Sequence, residues 1–196
     1  MRISLQNLNA QLKRLAQYDA LTELLNRRMF DEAIAAYFAQ ARRLGTSFAL
    51  IIFDIDYFKM LNDTFGHQEG DRVLKEVASS ARNALARETD KVFRIGGEEF
   101  AVLVLAESDA QVVSLMEILR RAVEGLGITH PQHPGAVVTI SLGGVLVKNS
   151  TLFTATALFK MADDALYSAK LSGRNQAVLA QRFEVPDLAT GVADQA

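Results

Sequence analysis

The segment SFALIIFDID, residues 47–56, constrains the fold most, because it is almost continuously apolar and then ends in two carboxylates. A run of this kind predicts a central strand that other elements cover on both faces. Asp54 and Asp56 lie two residues apart, so in a strand their side chains share one face while Ile55 points to the other. Carboxylates at the end of a buried strand are costly unless something pairs with them. A hard divalent cation is one solution, and capping of the following helix is the alternative.

The remainder of the chain predicts helices and further strands around this segment. Helical periodicity predicts helices over residues 28–44, 72–87, 109–126 and 154–171, and β-rich runs predict strands over 91–95, 100–105, 136–147 and 176–180. Residues 62–71, NDTFGHQEGD, are polar and contain glycine, which predicts a loop. This order predicts an α/β fold (an α+β sandwich) with a mixed central sheet that contains one β-hairpin and is flanked by helices.

The chain ends predict two further segments around the globular domain. Leucines recur at steps of three and four near the N-terminus, at Leu5, Leu8, Leu12 and Leu15. This heptad seam favours a signalling and dimerisation helix over residues 1–17, although it covers only about two heptads. An amphipathic helix lying on its own domain is the alternative. The catalytic domain is expected over residues 18–180, and residues 181–196 are expected to form a flexible tail.

Composition and charge exclude several classes of function. Lys and Arg total 21 against 23 Asp and Glu, a net charge of −2, whereas a protein that holds a nucleic-acid polymer by bulk charge would be far more basic. The absence of cysteine excludes disulfides, thiolate metal sites and a cysteine nucleophile. Three histidines are then the only soft ligands, so any metal is expected to be bound by oxygen, which favours magnesium, manganese or calcium. No apolar run approaches the ~20 residues of a membrane span and no signal core is present, so a cytosolic location without membrane contact is expected.

The sequence Gly96-Gly97-Glu98-Glu99 lies between two predicted strands and indicates a hairpin turn. Glycine lets the backbone turn tightly and leaves no side chain between the strand ends and a bound substrate. If the neighbouring strand is the one that ends at Asp54, this carboxylate and one of the glutamates converge. That arrangement suits magnesium bound to phosphate. An ordinary turn with solubilising surface glutamates is the alternative.

Residues 94–100, RIGGEEF, resemble the signature of the GGDEF domains, the diguanylate cyclases, in its GGEEF form. Four more segments resemble the family's motifs in order and at family spacing, namely residues 19–28, 53–63, 66–71 and 162–175. The resemblance covers about residues 18–180. It implies a palm-like, ferredoxin-like catalytic domain that condenses two GTP into cyclic di-GMP and releases two pyrophosphates.

The resemblance also implies a metal site and its chemistry. Asp54 and Glu98 would ligate Mg²⁺ (or Mn²⁺) through carboxylates, and Ile55 through its backbone carbonyl. Glu99 would support a second metal or the metal-bound phosphate. Glu98, or a water activated beside it, would take the proton from the ribose 3′-hydroxyl, which is a poor nucleophile until a metal or base assists it. Lys59 falls where the family places a lysine near the triphosphate.

Two positions match those with which the family binds guanine, Asn62 and Asp71. Guanine presents adjacent N1–H and N2–H donors, and one carboxylate can accept from both, whereas adenine lacks that donor pair. Capping of the following helix is the alternative, or an additional, role for Asp71. His67 lies in the same segment and is expected to contact substrate, with packing as its alternative.

Basic residues near the end of the last predicted helix match the family's phosphate contacts. Lys170 and Arg174 lie four apart, which predicts that they share one side of the helix and hold terminal phosphates. The alternative is a cationic helix end favoured by the helix dipole.

Residues 87–90 form an RxxD sequence at the spacing of the family's product-inhibition site. Arg87 would pair with a phosphate or stack on a guanine, and Asp90 would accept from a guanine edge. The alternative is a charged helix end with a surface ion pair, which contributes little to stability.

These features favour an active diguanylate cyclase that works as a homodimer and is inhibited by its product. One domain holds one GTP, and each 3′-hydroxyl must attack the other GTP, so two sites must face each other. A receptor of the same fold, binding GTP or cyclic di-GMP without turnover, is the second hypothesis. A different nucleotidyltransferase on a palm-like fold is the third.

Overall fold

The computed structural model describes Leu8 and residues 16–85, 87, 89–130, 137–148 and 154–180. These residues form five helices and five strands. The helices are α1 (Arg27–Leu44), α2 (Phe58–Phe65), α3 (His67–Ala84), α4 (Asp109–Glu124) and α5 (Ala155–Leu171). The strands are β1 (Phe48–Ile55), β2 (Lys91–Arg94), β3 (Glu99–Leu105), β4 (Ile140–Val147) and β5 (Ala177–Leu179).

The strands form one sheet in the order β2-β3-β1-β4-β5. β1 is the central strand, and all eight of its residues are buried. It pairs antiparallel with both neighbours, β2 and β3 form the antiparallel hairpin, and β4 pairs parallel with β5. The mixed sheet, its hairpin and its buried central strand confirm the predicted fold class.

Helices cover both faces of the sheet and enclose two apolar cores. Alternate β1 residues such as Ile51 and Phe53 pack with α2, α3 and α4 on one face. The residues between them, such as Leu50 and Ile52, pack with α1 and α5 on the other face. Phe53 also stacks on Phe100 of β3, with ring centroids 4.9 Å apart. The alternation therefore sends even-numbered residues, including Asp54, toward α1 and α5.

The predicted loop over residues 62–71 is wrong, because this segment is helical on both sides of a single break. α2 ends at Phe65, α3 begins at His67, and only Gly66 separates them, with φ at 85°. Both helices are amphipathic, and α3 places Val73 and Leu74 in the core. The polar residues of the segment are the exposed sides of these two helices, so their polarity reflects solvent exposure. The third helix also ends at Ala84, three residues before its predicted end.

The predicted ends of the chain lie outside the described residues, apart from Leu8 and residues 16–17. The dimerisation helix over 1–17, the tail over 181–196 and the domain boundaries therefore stay predictions. Within the described part of the chain, no helix combines the length and apolar character needed to cross a membrane.

Gly143 of β4 allows α5 to pack directly on the sheet. A Cβ added there would overlap the backbone oxygen of Ala162 and the backbone nitrogen of Leu166, both in α5. At Gly144 the nearest atom would be the side-chain sulfur of Met116, at 2.6 Å. A methionine side chain can move more easily than helix backbone.

We therefore expect Gly143→Ala to lower the free energy of unfolding by about 3 kcal/mol, at the upper end of overpacking costs. Gly144→Ala is the matched control and should cost about 1 kcal/mol, because the Met116 side chain can adjust. Urea denaturation followed by circular dichroism measures both. Equal losses in the two variants would contradict this account of the packing between α5 and β4.

Candidate active site

The site is built around the carboxyl end of β1, where Asp54 lies between two neighbouring strands. Its Cα is paired with that of Glu99 in β3 on one side and with that of Ser141 in β4 on the other. The condition set by the sequence, that the strand ending at Asp54 neighbours the hairpin, is met. The hairpin turn therefore places Glu98 and Glu99 beside the carboxyl end of β1, where Asp54 lies.

Lys170 near the end of α5 contacts the buried carboxylate of Asp54. Its Nζ lies 2.9 Å from Oδ2 of Asp54, whose side chain is 8% exposed. Burial raises the pKa of Asp54 to about 6, although the hydrogen bond from Lys170 opposes this, and the charges of Glu98 and Glu99 raise it further. Burial also raises the pKa of Glu98 above its ordinary value, while the charge of Lys170 lowers it. Three carboxylates and one lysine thus interact electrostatically at this edge.

Gly96 has no side chain, which allows the carboxylate of Glu99 to lie against the backbone of the turn. The backbone N–H groups of Ile95 and Gly96 both donate to the carbonyl of Glu99, at 2.9 and 3.2 Å. A Cβ on Gly96 would overlap the Glu99 carboxylate, whereas a Cβ on Gly97 would meet open space. Gly96 is therefore required by a close approach within the turn, and Gly97 lies on the exposed side, where a ligand can reach its backbone.

The turn is fastened to the N-terminal part of the domain through Arg94, whose side chain is 13% exposed. Its guanidinium donates to the carbonyl of Gly97 through Nε and Nη2, at 3.1 and 2.6 Å, and to Oδ1 of Asp19 through Nη1, at 2.9 Å. Asp19 also accepts from the backbone N–H and the hydroxyl of Thr22. Residues 19–22 and the glycine turn are thereby joined by one chain of hydrogen bonds.

The donors at this edge fit a magnesium or manganese ion that shares its coordination with a substrate phosphate. Mg²⁺ usually takes one or two carboxylates and completes its octahedron with water and phosphate oxygens. Asp54 and Glu98 supply such carboxylates. The side chain of Ile55 is in the core, so only its backbone can face a ligand. Among the described residues no group of three acidic or histidine side chains forms a ready-made cage.

The predicted guanine contacts lie where α2 packs on α3. The side-chain amide of Asn62 lies so close to Gly70 that a Cβ there would overlap it, which explains a glycine inside α3. Asp71 follows Gly70 and is exposed, as is His67 at the start of α3. The capping alternative for Asp71 is wrong, because α3 begins at His67 with Gly66 as its N-cap. Asn62 and Asp71 therefore belong to two packed helices.

The three basic residues predicted to contact phosphate, Lys59, Lys170 and Arg174, have different surroundings. Lys59 is exposed in the first turn of α2. The prediction that Lys170 and Arg174 share one side of a helix is wrong, because α5 ends at Leu171. Arg174 has a left-handed backbone, with φ at 63°, and its guanidinium lies over the ring of Tyr57, 4.3 Å from the centroid. The dipole alternative thus applies to Lys170 alone.

Asp56, the residue directly after β1, is held by hydrogen bonds inside the domain. It is 1% exposed and accepts hydrogen bonds from the hydroxyls of Thr139 and Ser141, at 2.8 and 2.7 Å, and from the backbone N–H of Asn175, at 3.0 Å. The alternative that Asp54 and Asp56 cap the next helix is wrong, because the N-cap of α2 is Tyr57 and no side chain caps that end.

Arg87 and Asp90 form a small turn between α3 and β2. The backbone N–H of Arg87 donates to Oδ2 of Asp90 at 3.3 Å, and Nη1 of Arg87 donates to the carbonyl of Leu105 at 3.4 Å. Oδ1 of Asp90 is buried and has no hydrogen-bond partner among the described residues. Burial raises the pKa of Asp90 above its ordinary value. Both residues line a cavity of about 450 Å³ between β3 and α4.

Comparison with known families decides which proteins share this architecture. The model of the family described as "Diguanylate cyclase, GGDEF domain" matches residues 16–176. The chain belongs to the GGDEF family. The match includes β1 with Asp54, the glycine turn and the first residues that follow α5.

Individual relatives of this GGDEF domain agree with the family match. The domain is 39% identical over 160 residues to the diguanylate cyclase DgcS of Shewanella oneidensis, covering 82% of this chain and 51% of DgcS. It is 37% identical over 168 residues to the probable diguanylate cyclase DgcT of Escherichia coli, covering 85% of this chain and 36% of DgcT. The chain thus spans about half or less of these curated relatives.

A solved structure has the same fold. The crystal structure of the coiled coil and GGDEF domain of DgcB from Caulobacter crescentus, in complex with cyclic di-GMP, matches with a TM-score of 0.81 and 33% sequence identity. The match covers 90% of this GGDEF domain and 92% of that chain.

Sequence reasoning missed the residues that support the GGDEF site from behind. Tyr57, with φ at 55°, carries Arg174 on its ring, and a left-handed backbone at a tyrosine has no signature in the sequence. The bond between Asp19 and Arg94 joins residues 75 positions apart. Asp19 and Arg94 each belong to a motif identified in the sequence, but the sequence does not indicate that they contact each other.

We expect Asp19→Asn to lower the free energy of unfolding by about 1–2 kcal/mol at neutral pH, because the hydrogen bonds from Arg94 and Thr22 lose their charged acceptor. Burial would raise the pKa of Asp19, but those hydrogen bonds outweigh it and hold the pKa below 3.8. This contribution is therefore present above about pH 4 and is lost as the pH falls through the folded pKa. Urea titrations at neutral pH and at about pH 3 measure the change.

Asp31→Asn is the matched control, since Asp31 pairs with Arg27 on the exposed surface of α1. Its cost should stay below about 0.5 kcal/mol at either pH. A difference between Asp19→Asn and the wild type that is the same in acid and at neutral pH would contradict the assignment.

Proposed function

We propose that this GGDEF domain is a metal-dependent diguanylate cyclase that condenses two GTP into cyclic di-GMP as a homodimer. The observation that carries the proposal is the buried Asp54 carboxylate opposite the Glu98–Glu99 turn, with Lys170 bound to it at 2.9 Å. The diguanylate cyclase names of DgcS and DgcT, and the cyclic di-GMP bound in the DgcB structure, support it. The cytosolic location expected from the sequence stays a prediction.

The acidic residues would hold the metal and move the proton. Asp54 and Glu98 would bind Mg²⁺ or Mn²⁺ through carboxylates and Ile55 through its carbonyl, while Glu99 would support a second ion or the bound phosphate. A bound ion would neutralise charge on the phosphates and lower the cost of forming the 3′-alkoxide. Glu98, directly or through a water beside it, would accept the proton of the 3′-hydroxyl.

The basic residues and the glycine turn would hold the triphosphate. Lys59 and Arg174 would contact phosphate oxygens, and the backbone of Gly96 and Gly97 would lie against the nucleotide. Lys170 contacts Asp54 in this structure, so the proposal requires it to leave that carboxylate for the terminal phosphates. In each half-reaction the 3′-oxygen would bond to the α-phosphorus of the other GTP, and the bond to pyrophosphate would break.

Base recognition would come from the junction of α2 and α3. Asp71 would accept from N1–H and N2–H of guanine, and Asn62, positioned against Gly70, would bind the same base. His67 would contact the nucleotide from the start of α3. Two chains must meet because each domain would carry one GTP.

Product would bind at Arg87 and Asp90, away from the metal ligands in sequence. The carboxylate of Asp90, which lines the same cavity as Arg87, can accept from the Watson–Crick edge of a guanine. The Arg87 guanidinium can pair with a phosphate or stack on the base. Occupancy of this turn would restrain the motion of the domains and inhibit without competing with GTP.

The central test is product formation from GTP and Mg²⁺, followed by nucleotide chromatography. We expect cyclic di-GMP from GTP, no cyclic product from ATP, and a loss of at least about 100-fold in rate for Asp54→Asn and for Glu98→Gln, since each removes a charged ligand. Both variants should stay folded by circular dichroism.

Glu107→Gln is the matched control, because it removes one exposed carboxylate beyond the opposite end of β3 and should leave the rate within twofold. The rate per chain should rise with protein concentration if two chains are required. Turnover in excess EDTA, or binding of GTP without turnover by the wild type, would overturn the cyclase; the latter result would establish a receptor.

Product inhibition has a separate test. We expect Arg87→Ala to weaken inhibition by added cyclic di-GMP at least tenfold, because it removes the cation that pairs with phosphate. Calorimetry with cyclic di-GMP measures the same loss without turnover, and Arg42→Ala, an exposed arginine of α1, is the control. A wild-type chain that binds no cyclic di-GMP would exclude this site.

A further inference from the structure

The turn that follows α5 has an unusual backbone. Gly173, Arg174 and Asn175 all have positive φ, at 118°, 63° and 45°. Left-handed conformations are strained for residues that carry a Cβ, and two in succession persist only where surrounding contacts enforce them. Asparagine tolerates this region better than arginine does. Something outside the turn must therefore hold Arg174 in place.

Asn175 is the point at which the turn is held. Its backbone N–H donates to Asp56, its Nδ2 donates to Oε1 of Glu124 at 2.7 Å, and its Oδ1 accepts from Nη1 of Arg120 at 2.8 Å. Arg120 and Glu124 belong to α4, which lies on the opposite face of the sheet from α5. The turn is thus fixed by one hydrogen bond to Asp56, directly after β1, and by two hydrogen bonds to α4.

The Arg120 side chain that contacts the turn is itself held by two glutamates of α4. Its side chain is 14% exposed, and its guanidinium binds both oxygens of Glu117, at 2.8 Å each, as well as Oε2 of Glu124 at 2.8 Å. Arg121, the next residue, also binds Glu117, but its side chain is 73% exposed. A planar guanidinium held on two sides can hold a third group in a defined position.

The turn places Arg174 beside the start of α2, the helix that carries candidate nucleotide contacts. Its guanidinium lies over the ring of Tyr57 and donates from Nη1 to the Tyr57 hydroxyl at 3.2 Å. Tyr57 immediately precedes α2, which carries Lys59 and Asn62. The fixed backbone at Asn175 therefore sets where the arginine cation stands.

We propose that Arg120 is a positioning residue for nucleotide binding, which acts through Asn175 to hold Arg174 where it meets the phosphates. This rests on the proposed function, because Arg174 is there assigned to phosphate. Arg120 touches no substrate in this account. Its removal should weaken the binding of phosphate far more than it slows the chemical step.

The test compares Arg120→Met with Arg121→Met in the full chain. We expect Arg120→Met to raise the KM for GTP about tenfold while kcat falls less than threefold, and to weaken the binding of inorganic pyrophosphate with Mg²⁺, measured by calorimetry, by a similar factor. Arg121→Met removes a neighbouring partner of Glu117 without reaching Asn175, so it should change either quantity less than twofold.

Two further variants separate positioning from general stability. Asn175→Gly suits the left-handed backbone and removes only the side chain held by α4, so it should reproduce the rise in KM in a folded protein even if Arg120→Met unfolds. Added to Arg174→Met, Arg120→Met should weaken pyrophosphate binding less than twofold further, because both act through one cation.

The outcomes also separate this inference from the proposed function. A wild type that binds GTP and pyrophosphate without turnover would overturn the cyclase, and the loss of affinity in Arg120→Met would still support positioning. Unchanged affinity in folded Arg120→Met and Asn175→Gly, or full additivity with Arg174→Met, would overturn the role of Arg120. A wild type that binds neither ligand would overturn both.

Discussion

Two carboxylates stand at the end of a strand that has no exposed residue, and each must be compensated by groups from elsewhere in the chain. Asp56 is compensated by neutral donors, namely the hydroxyls of Thr139 just before β4 and Ser141 within it, and the backbone N–H of Asn175. Asp54 is compensated by Lys170. These requirements bring the start of β4, the end of α5 and the turn after it to the carboxyl end of β1. The hairpin places Glu98 and Glu99 beside them.

The same edge depends on close approaches that only glycine permits. Gly143 lets the backbone of α5, the helix that carries Lys170, lie against β4. Gly70 lets Asn62 lie against α3, and Gly96 lets the Glu99 carboxylate fold over the turn. Each glycine therefore fixes a distance between two elements that carry candidate functional groups. The positions of the polar groups follow from backbone packing as much as from their own hydrogen bonds.

Sequence patterns predicted all the strands and most of the helices from periodicity, and they predicted that Asp54 and a glutamate converge if β1 neighbours the hairpin. The apolar run over residues 47–56 became the central strand, and Asp54 came to lie opposite Glu99. Polarity misled over residues 62–71, since an exposed helix side and a loop have the same composition.

Contacts set by unusual backbone or by distant residues could not be predicted. Nothing in the sequence indicates that Arg174 leaves the helix with a left-handed backbone, or that its cation lies on Tyr57. Nor does spacing reveal that Arg120 and Asn175, 55 residues apart, share a hydrogen bond. Local propensity carries no information on such pairs, which exist only once the sheet has brought α4 and α5 to the same edge.

The position of the parallel strand pair has a consequence for biosynthesis. Because β5 pairs with β4 only after the chain has passed through α5, the turn with Arg174 and Asn175 is among the last parts of the domain to be made. β1 and the hairpin emerge much earlier from the ribosome, since synthesis and folding proceed from the N-terminus. A nascent chain thus acquires Asp54, Lys59 and the glycine turn well before Lys170 and Arg174, so the candidate site lacks two of its three basic residues until α5 and the turn after it have been made.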